Sequence, residues 1–138
     1  MDIAIVSMSK NLDSYGNREV SYAGAYNPLW ILRKEDGIIE EIKADRQPVG
    51  RYQKEKEFTT HKLIIKKGDI MYLFSDGYAS QFGGEKGKKF KLSSMKSLIL
   101  SLRNKSIKDQ EHILNNTFEK WKGNKEQIDD VVIFAFQN

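Results

Sequence analysis

Apolar residues come in short runs over the first half of the chain and at helical spacing over the second. Ile3-Ala4-Ile5-Val6 is a compact apolar run and predicts a strand. Residues 11–17 hold Asn, Asp, Ser and Gly, which is turn chemistry. Val20 and Tyr22 alternate with polar neighbours up to Gly24, as a half-buried strand does. Leu29-Trp30-Ile31-Leu32 predicts a further strand, Asp36-Gly37 a hairpin turn, and residues 38–42 the return strand. Residues 56–65 predict one more, with Phe58, Leu63 and Ile65 apolar, before a tight turn at Gly68-Asp69. Ile70-Met71-Tyr72-Leu73-Phe74 lacks polar alternation, the mark of a strand buried on both faces, and stops at Ser75-Asp76-Gly77.

Leu92, Met95, Leu98, Ile99 and Leu102 then fall on one helical face, which predicts an amphipathic helix over 91–103. A second helix is expected from Ser106, which forms a capping-box-like pair with Asp109. Its stripe is Ile107, Ile113, Leu114, Phe118 and Trp121, and Gly123 suits the residue after its last turn. Residues 131–136 predict a closing buried strand. Many strands, two helices and one strand make an α+β layout, mainly antiparallel.

The 138 residues are enough for one domain with its own core, and neither repeats nor linkers divide residues 1–138. A hydrophobic fraction of 39% against 30% charged residues fits a globular chain. The lack of cysteine removes disulfides, thiolate zinc sites and cysteine nucleophiles. No apolar run approaches the ~20 residues of a membrane span, and residues 1–10 are too short in apolar content for a signal peptide. A cytoplasmic location is expected, with a parent protein free to be membrane-anchored. The net charge is +4, and its one local concentration is Lys86, Lys88, Lys89 and Lys91, which read as a solvated basic face. No nucleic-acid motif accompanies that charge, so nucleic-acid binding ranks last among the functions considered.

The chemistry-bearing residues lie at strand ends. Asp76 follows a buried strand, and Asp129 and Asp130 precede another. If those two strands are adjacent and antiparallel, the three acids meet at one sheet edge. Converging carboxylates repel, and a cation relieves them. Hard oxygen donors suit Mg2+ or Mn2+. Asp-Gly is also an ordinary turn, and an Asp before a strand is also ordinarily solvated. His61 and His112 read as surface or edge residues, Trp30 and Trp121 as core, and Asn27-Pro28 as a turn.

Four segments extend this picture. The run from Gly68-Asp69 to Ser75-Asp76-Gly77 resembles the GD-x-x-x-x-(S/T)DG segment of the PP2C-like SpoIIE/RsbU phosphatase family. Ala23-Gly24 ahead of Pro28, then Pro48-Val49-Gly50, and finally Asp129-Asp130-Val131-Val132 resemble further segments of that family, in its order. The run from Gln81-Phe82-Gly83-Gly84 to Gly87-Lys88-Lys89-Phe90 is similar to a subgroup found in large bacterial sensor proteins.

The resemblance implies a PP2C-like antiparallel β-sandwich with flanking helices. It implies a Mg2+/Mn2+-dependent serine/threonine phosphatase, in which water activated by two metal ions attacks phosphorus with no phosphoenzyme. Its substrate would be a phosphoprotein such as an anti-sigma-factor antagonist. Asp76 and Asp129 match metal ligands of the family, and Asp130 stands beside them as support. The family's earlier acidic segment, GD-x-x-GHG, has no counterpart within residues 1–138, so the chain is expected to be the C-terminal portion of the domain, with part of the metal site and little activity alone. Val132 stands where the family often has Thr. A non-catalytic interaction or regulatory domain that retains the phosphatase fold is the competing expectation. Unpaired edge strands are also expected to drive homo-oligomer formation; a strictly monomeric sedimentation profile at high concentration would contradict that.

Overall fold

The structure, a computed structural model, describes residues 1–50 and 56–138. Met1–Leu73 with Phe134–Asn138 make one compact unit, and Phe74–Ile133 a second.

The first unit holds two antiparallel sheets. One has the order β1-β2-β5, from β1 (Ile3–Leu12), β2 (Arg18–Ala25) and β5 (His61–Ile65). The other has the order β4-β3-β6-β9, from β3 (Leu29–Leu32), β4 (Ile39–Ile42), β6 (Ile70–Phe74) and β9 (Ile133–Gln137). Val20 and Tyr22 of β2 and Ile65 of β5 pack with Leu29 and Ile31 of β3 and Met71 of β6, so residues of both sheets share one core. Central strands β3 and β6 are the most apolar because both their faces are covered. Trp30 is fully buried, as expected of a core residue, while His61 stacks on Tyr22 at 5.9 Å on an outer strand.

The β3–β4 turn closes where Asp36-Gly37 predicts it, with Arg33 N–H donating to Ile38 O at 2.9 Å. β1 runs on to Leu12, through residues assigned in part to a turn by their composition, because β2 pairs with it from Ile3↔Ala25 to Leu12↔Arg18. The strand expected over 56–65 starts only at His61. Ahead of it, Gln47 is buried, donates to Lys56 O and accepts from Lys56 N.

Asp69 is the buried polar centre of this unit, at 1% exposure. Its carboxylate accepts from the Arg33 guanidinium at 2.7 Å and from the backbone N–H groups of Lys34 and Lys66 at 2.9 and 3.0 Å. A carboxylate this deep needs a charge partner and full hydrogen bonding, and Asp69 has both. It is therefore a structural acid.

The second unit contains α1 (Gly77–Ser80), a hairpin of β7 (Phe82–Gly83) and β8 (Lys88–Lys89), α2 (Leu92–Ser101) and α3 (Ile107–Lys122). Ser106 caps α3 by accepting from Asp109 N–H, and Gly123 ends it at φ 55°. Tyr78 of α1 is buried and donates to Leu114 O at 2.8 Å; burial raises its hydroxyl pKa to about 12. Its ring meets Phe90 and Phe118, each at 5.1 Å, and Phe90 in turn meets Trp121 at 5.4 Å. Among the described residues no helix is long and apolar enough to cross a membrane.

Candidate functional site

Whether the candidate acids meet depends on the direction of β6 and β9. The two strands are neighbours in one sheet. Gly68 N–H donates to Asn138 O at 2.7 Å and Asn138 N–H to Asp69 O at 3.1 Å, so the start of β6 meets the end of β9. The pair is antiparallel. The end of β6 and the start of β9 consequently share the opposite edge, where the sequence places Asp76 and the Asp129–Asp130 pair.

Residues on both sides of Asp76 lie against the 130–132 segment. Ser75 N–H donates to Val132 O at 3.0 Å. The Ser75 hydroxyl donates to Asp130 O at 2.7 Å and accepts from Val132 N–H at 3.0 Å. Gly77 lies so close to the same segment that a Cβ added there would sit 2.3 Å from Asp130 O. Only a residue without a side chain permits that approach. The Ser-Asp-Gly motif thus sets a carboxylate between a residue hydrogen-bonded to this segment and a glycine packed against it. Ser75 and Gly77 were not singled out as site residues from the sequence, although the motif contains the signal. Val132 meets Ser75 through its backbone, so the hydrogen bonding at this position does not need the family's threonine hydroxyl.

The three acids differ in their surroundings. Asp76 begins α1, its carbonyl accepts from Ser80 N–H at 2.9 Å, and its exposed carboxylate makes no capping bond. Asp129 is exposed and gives Oδ1 to its own turn, accepting from Asp130 N–H at 2.8 Å. Asp130 is instead held through its backbone, by Asp129 on one side and Ser75 on the other.

Hard carboxylate oxygens fit a divalent cation of the Mg2+ or Mn2+ type. Among the described residues no Lys, Arg or His forms an ion pair with Asp76, Asp129 or Asp130. The same residues contain no group of three or more His, Asp or Glu side chains arranged to hold a metal. The donor chemistry of Asp76 and Asp129 fits such a cation, which would need further oxygen donors beyond them. His112 is exposed on α3, as expected, and takes no part in this edge.

Residues 12–138 match the family described as Stage II sporulation protein E (SpoIIE). Among solved structures the chain is similar to the SiaA-PP2C domain of Pseudomonas aeruginosa, with 24% identity and a TM-score of 0.77 over 87% of this chain and 46% of that one. It is also similar to the phosphatase domain of the cell-fate determinant SpoIIE from Bacillus subtilis, with 15% identity and a TM-score of 0.61 over 99% of this chain and 57% of that one. A manganese-presoaked form of the latter gives 17% identity and a TM-score of 0.60. The chain thus spans about half the length of the solved domains it matches. A comparison with curated proteins finds no match. The antiparallel sheets and the order of the matched segments agree with these likenesses, and the chain belongs to the SpoIIE family, with a PP2C-like phosphatase-domain fold.

Proposed function

We propose that this chain carries part of the metal site of a Mg2+/Mn2+-dependent protein serine/threonine phosphatase domain in bacterial signalling, acting on a phosphorylated regulatory protein such as an anti-sigma-factor antagonist. The carrying observation is the placing of Asp76 between Ser75, which hydrogen-bonds to Asp130 and Val132, and Gly77, which packs against the O atom of Asp130, the residue next to Asp129 in the chain. Family membership and the manganese presoak of the Bacillus subtilis domain support the same reading.

In this proposal Asp76 and Asp129 are the ligands. Asp129 retains Oδ2 for that role while Oδ1 braces its turn. Asp130 supports them through its backbone, and Ser75 and Gly77 set the spacing. When bound, divalent ions neutralise phosphoryl oxygens and acidify water. The chain's contribution is to place the acids at one sheet edge, where no described residue forms an ion pair with them and a bound cation would offset their charge.

The test is Mn2+ binding to this chain by calorimetry, together with phosphoserine-peptide hydrolysis by the natural protein that contains it. Asp76→Asn and Asp129→Asn should each abolish measurable Mn2+ binding here. Each should also slow Mn2+-dependent hydrolysis by about a hundredfold or more, several kcal/mol of lost stabilisation. Undiminished hydrolysis in both variants would sink the ligand assignment. No hydrolysis by the unaltered natural protein, with protein-partner capture intact in the double variant, would replace the enzyme with an interaction domain.

A further inference from the structure

The β7–β8 hairpin is absent from the hydrophobic pattern of the sequence, yet it is one of the most firmly anchored parts of the second unit. Gln81, fully buried, begins it: its carbonyl accepts from Phe90 N–H and from the Trp121 indole N–H, both at 3.0 Å, and its amide donates to Glu126 O at 2.9 Å. Gly83 rests directly on the end of α3, where an added Cβ would lie 1.9 Å from Trp121 O. Gly84 N–H donates to that same oxygen at 2.8 Å. The exit of the hairpin returns to the helix that Asp76 begins, because Lys91 N–H donates to Ala79 O at 2.8 Å. Lys91 holds φ at 78°, a conformation costly for a residue with a side chain.

What this anchored hairpin presents is positive charge. Residues 81–91 contain Lys86, Lys88, Lys89 and Lys91 against one acid, Glu85. All four lysines are exposed, and among the described residues none is in an ion pair. Lys125, beyond α3, adds a fifth: its Nζ would lie 3.5 Å from a Cβ at Gly87. Like charges gathered on a rigid support repel one another, and an anion bound there relieves the repulsion without the ordering cost of a mobile loop.

We propose that the β7–β8 hairpin is a docking surface for an acidic segment of the protein partner. That the partner is a phosphoprotein rests on the phosphatase reading above; the preference for acidic polypeptide rests on the hairpin alone. Charge complementarity identifies the occupant. A nucleic acid fits less well, because the exposed aromatic ring of the hairpin, Phe82, already has the Lys89 ammonium 5.6 Å from its centre, and the lysines come with no arginine for base edges.

The test is fluorescence anisotropy with a short glutamate-rich peptide, its glutamine counterpart and duplex DNA, in EDTA and across a salt series. The glutamate peptide should bind the unaltered chain and be released by salt. Lys88→Gln/Lys89→Gln should weaken it about tenfold, and Lys88→Arg/Lys89→Arg should retain it. Trp121 fluorescence should be the same in all three proteins, confirming the anchored fold. No binding of the glutamate peptide, binding indifferent to the glutamine variant, or tighter binding of the duplex through the same lysines would each overturn the proposal. EDTA removes metal, so a failed phosphatase reading leaves this result untouched.

Discussion

Asp69→Ala is expected to cost about 3–5 kcal/mol of stability, the range for removing one partner of a buried ion pair. The substitution deletes the carboxylate that accepts from Arg33, Lys34 N–H and Lys66 N–H at once. It leaves a guanidinium whose side chain is 18% exposed, with Glu40 as its remaining charged partner. Urea titration followed by far-UV circular dichroism measures the loss. Asp69→Asn, which keeps an acceptor and loses the charge, should fall between the two. A loss below about 1 kcal/mol for the alanine variant would mean that water replaces the carboxylate, contrary to its burial. This acid belongs to the same matched segment as Asp76, and the prediction separates them: Asp69 should report on stability and Asp76 on metal.

Gly77→Ala is the second large effect, and it should damage metal binding and stability together. The added methyl meets Asp130 O at 2.3 Å and its carbonyl carbon at 2.9 Å, both backbone atoms that no rotamer change can move aside. Overpacking of this kind costs about 1–3 kcal/mol. Relief requires the 130–132 segment to retreat, which breaks the Ser75 bonds to Asp130 and Val132 and separates Asp76 from Asp129. Mn2+ affinity should therefore fall about tenfold or more. Calorimetric titration with Mn2+ beside thermal unfolding checks both parts. Unchanged affinity with unchanged stability would show that Gly77 is a turn residue and no fastener.

Local patterning carried far along this chain where one element's own residues decide its state. Ile70–Phe74 is a strand with the boundaries its apolar run implies, since nothing polar interrupts its five residues, all buried except the half-buried Leu73. Ser106 and Gly123 bracket α3 as cap chemistry requires, because capping bonds close within one turn of chain. The places of Asp76, Asp129 and Asp130 beside strand ends were also legible, from the apolar runs next to them.

Contacts distant in sequence decided the remainder. Ser7, Met8 and Leu12 are strand because β2 offers them Ser21, Val20 and Arg18 as partners across a register shift, and no local preference requires that. Val131 and Val132, apolar enough for a strand, stay outside β9; Val132 bonds to Ser75 there. The two-residue strands of the lysine hairpin have no pattern of their own and exist because Trp121, some forty residues away, supplies their anchor. The placing of Asp76 and Asp129 at one sheet edge is of the same kind. Composition and spacing state which groups are available for a metal, and the antiparallel pairing of β6 with β9 determines that they share one edge, because strand direction is settled by backbone hydrogen bonds between segments that the sequence keeps far apart.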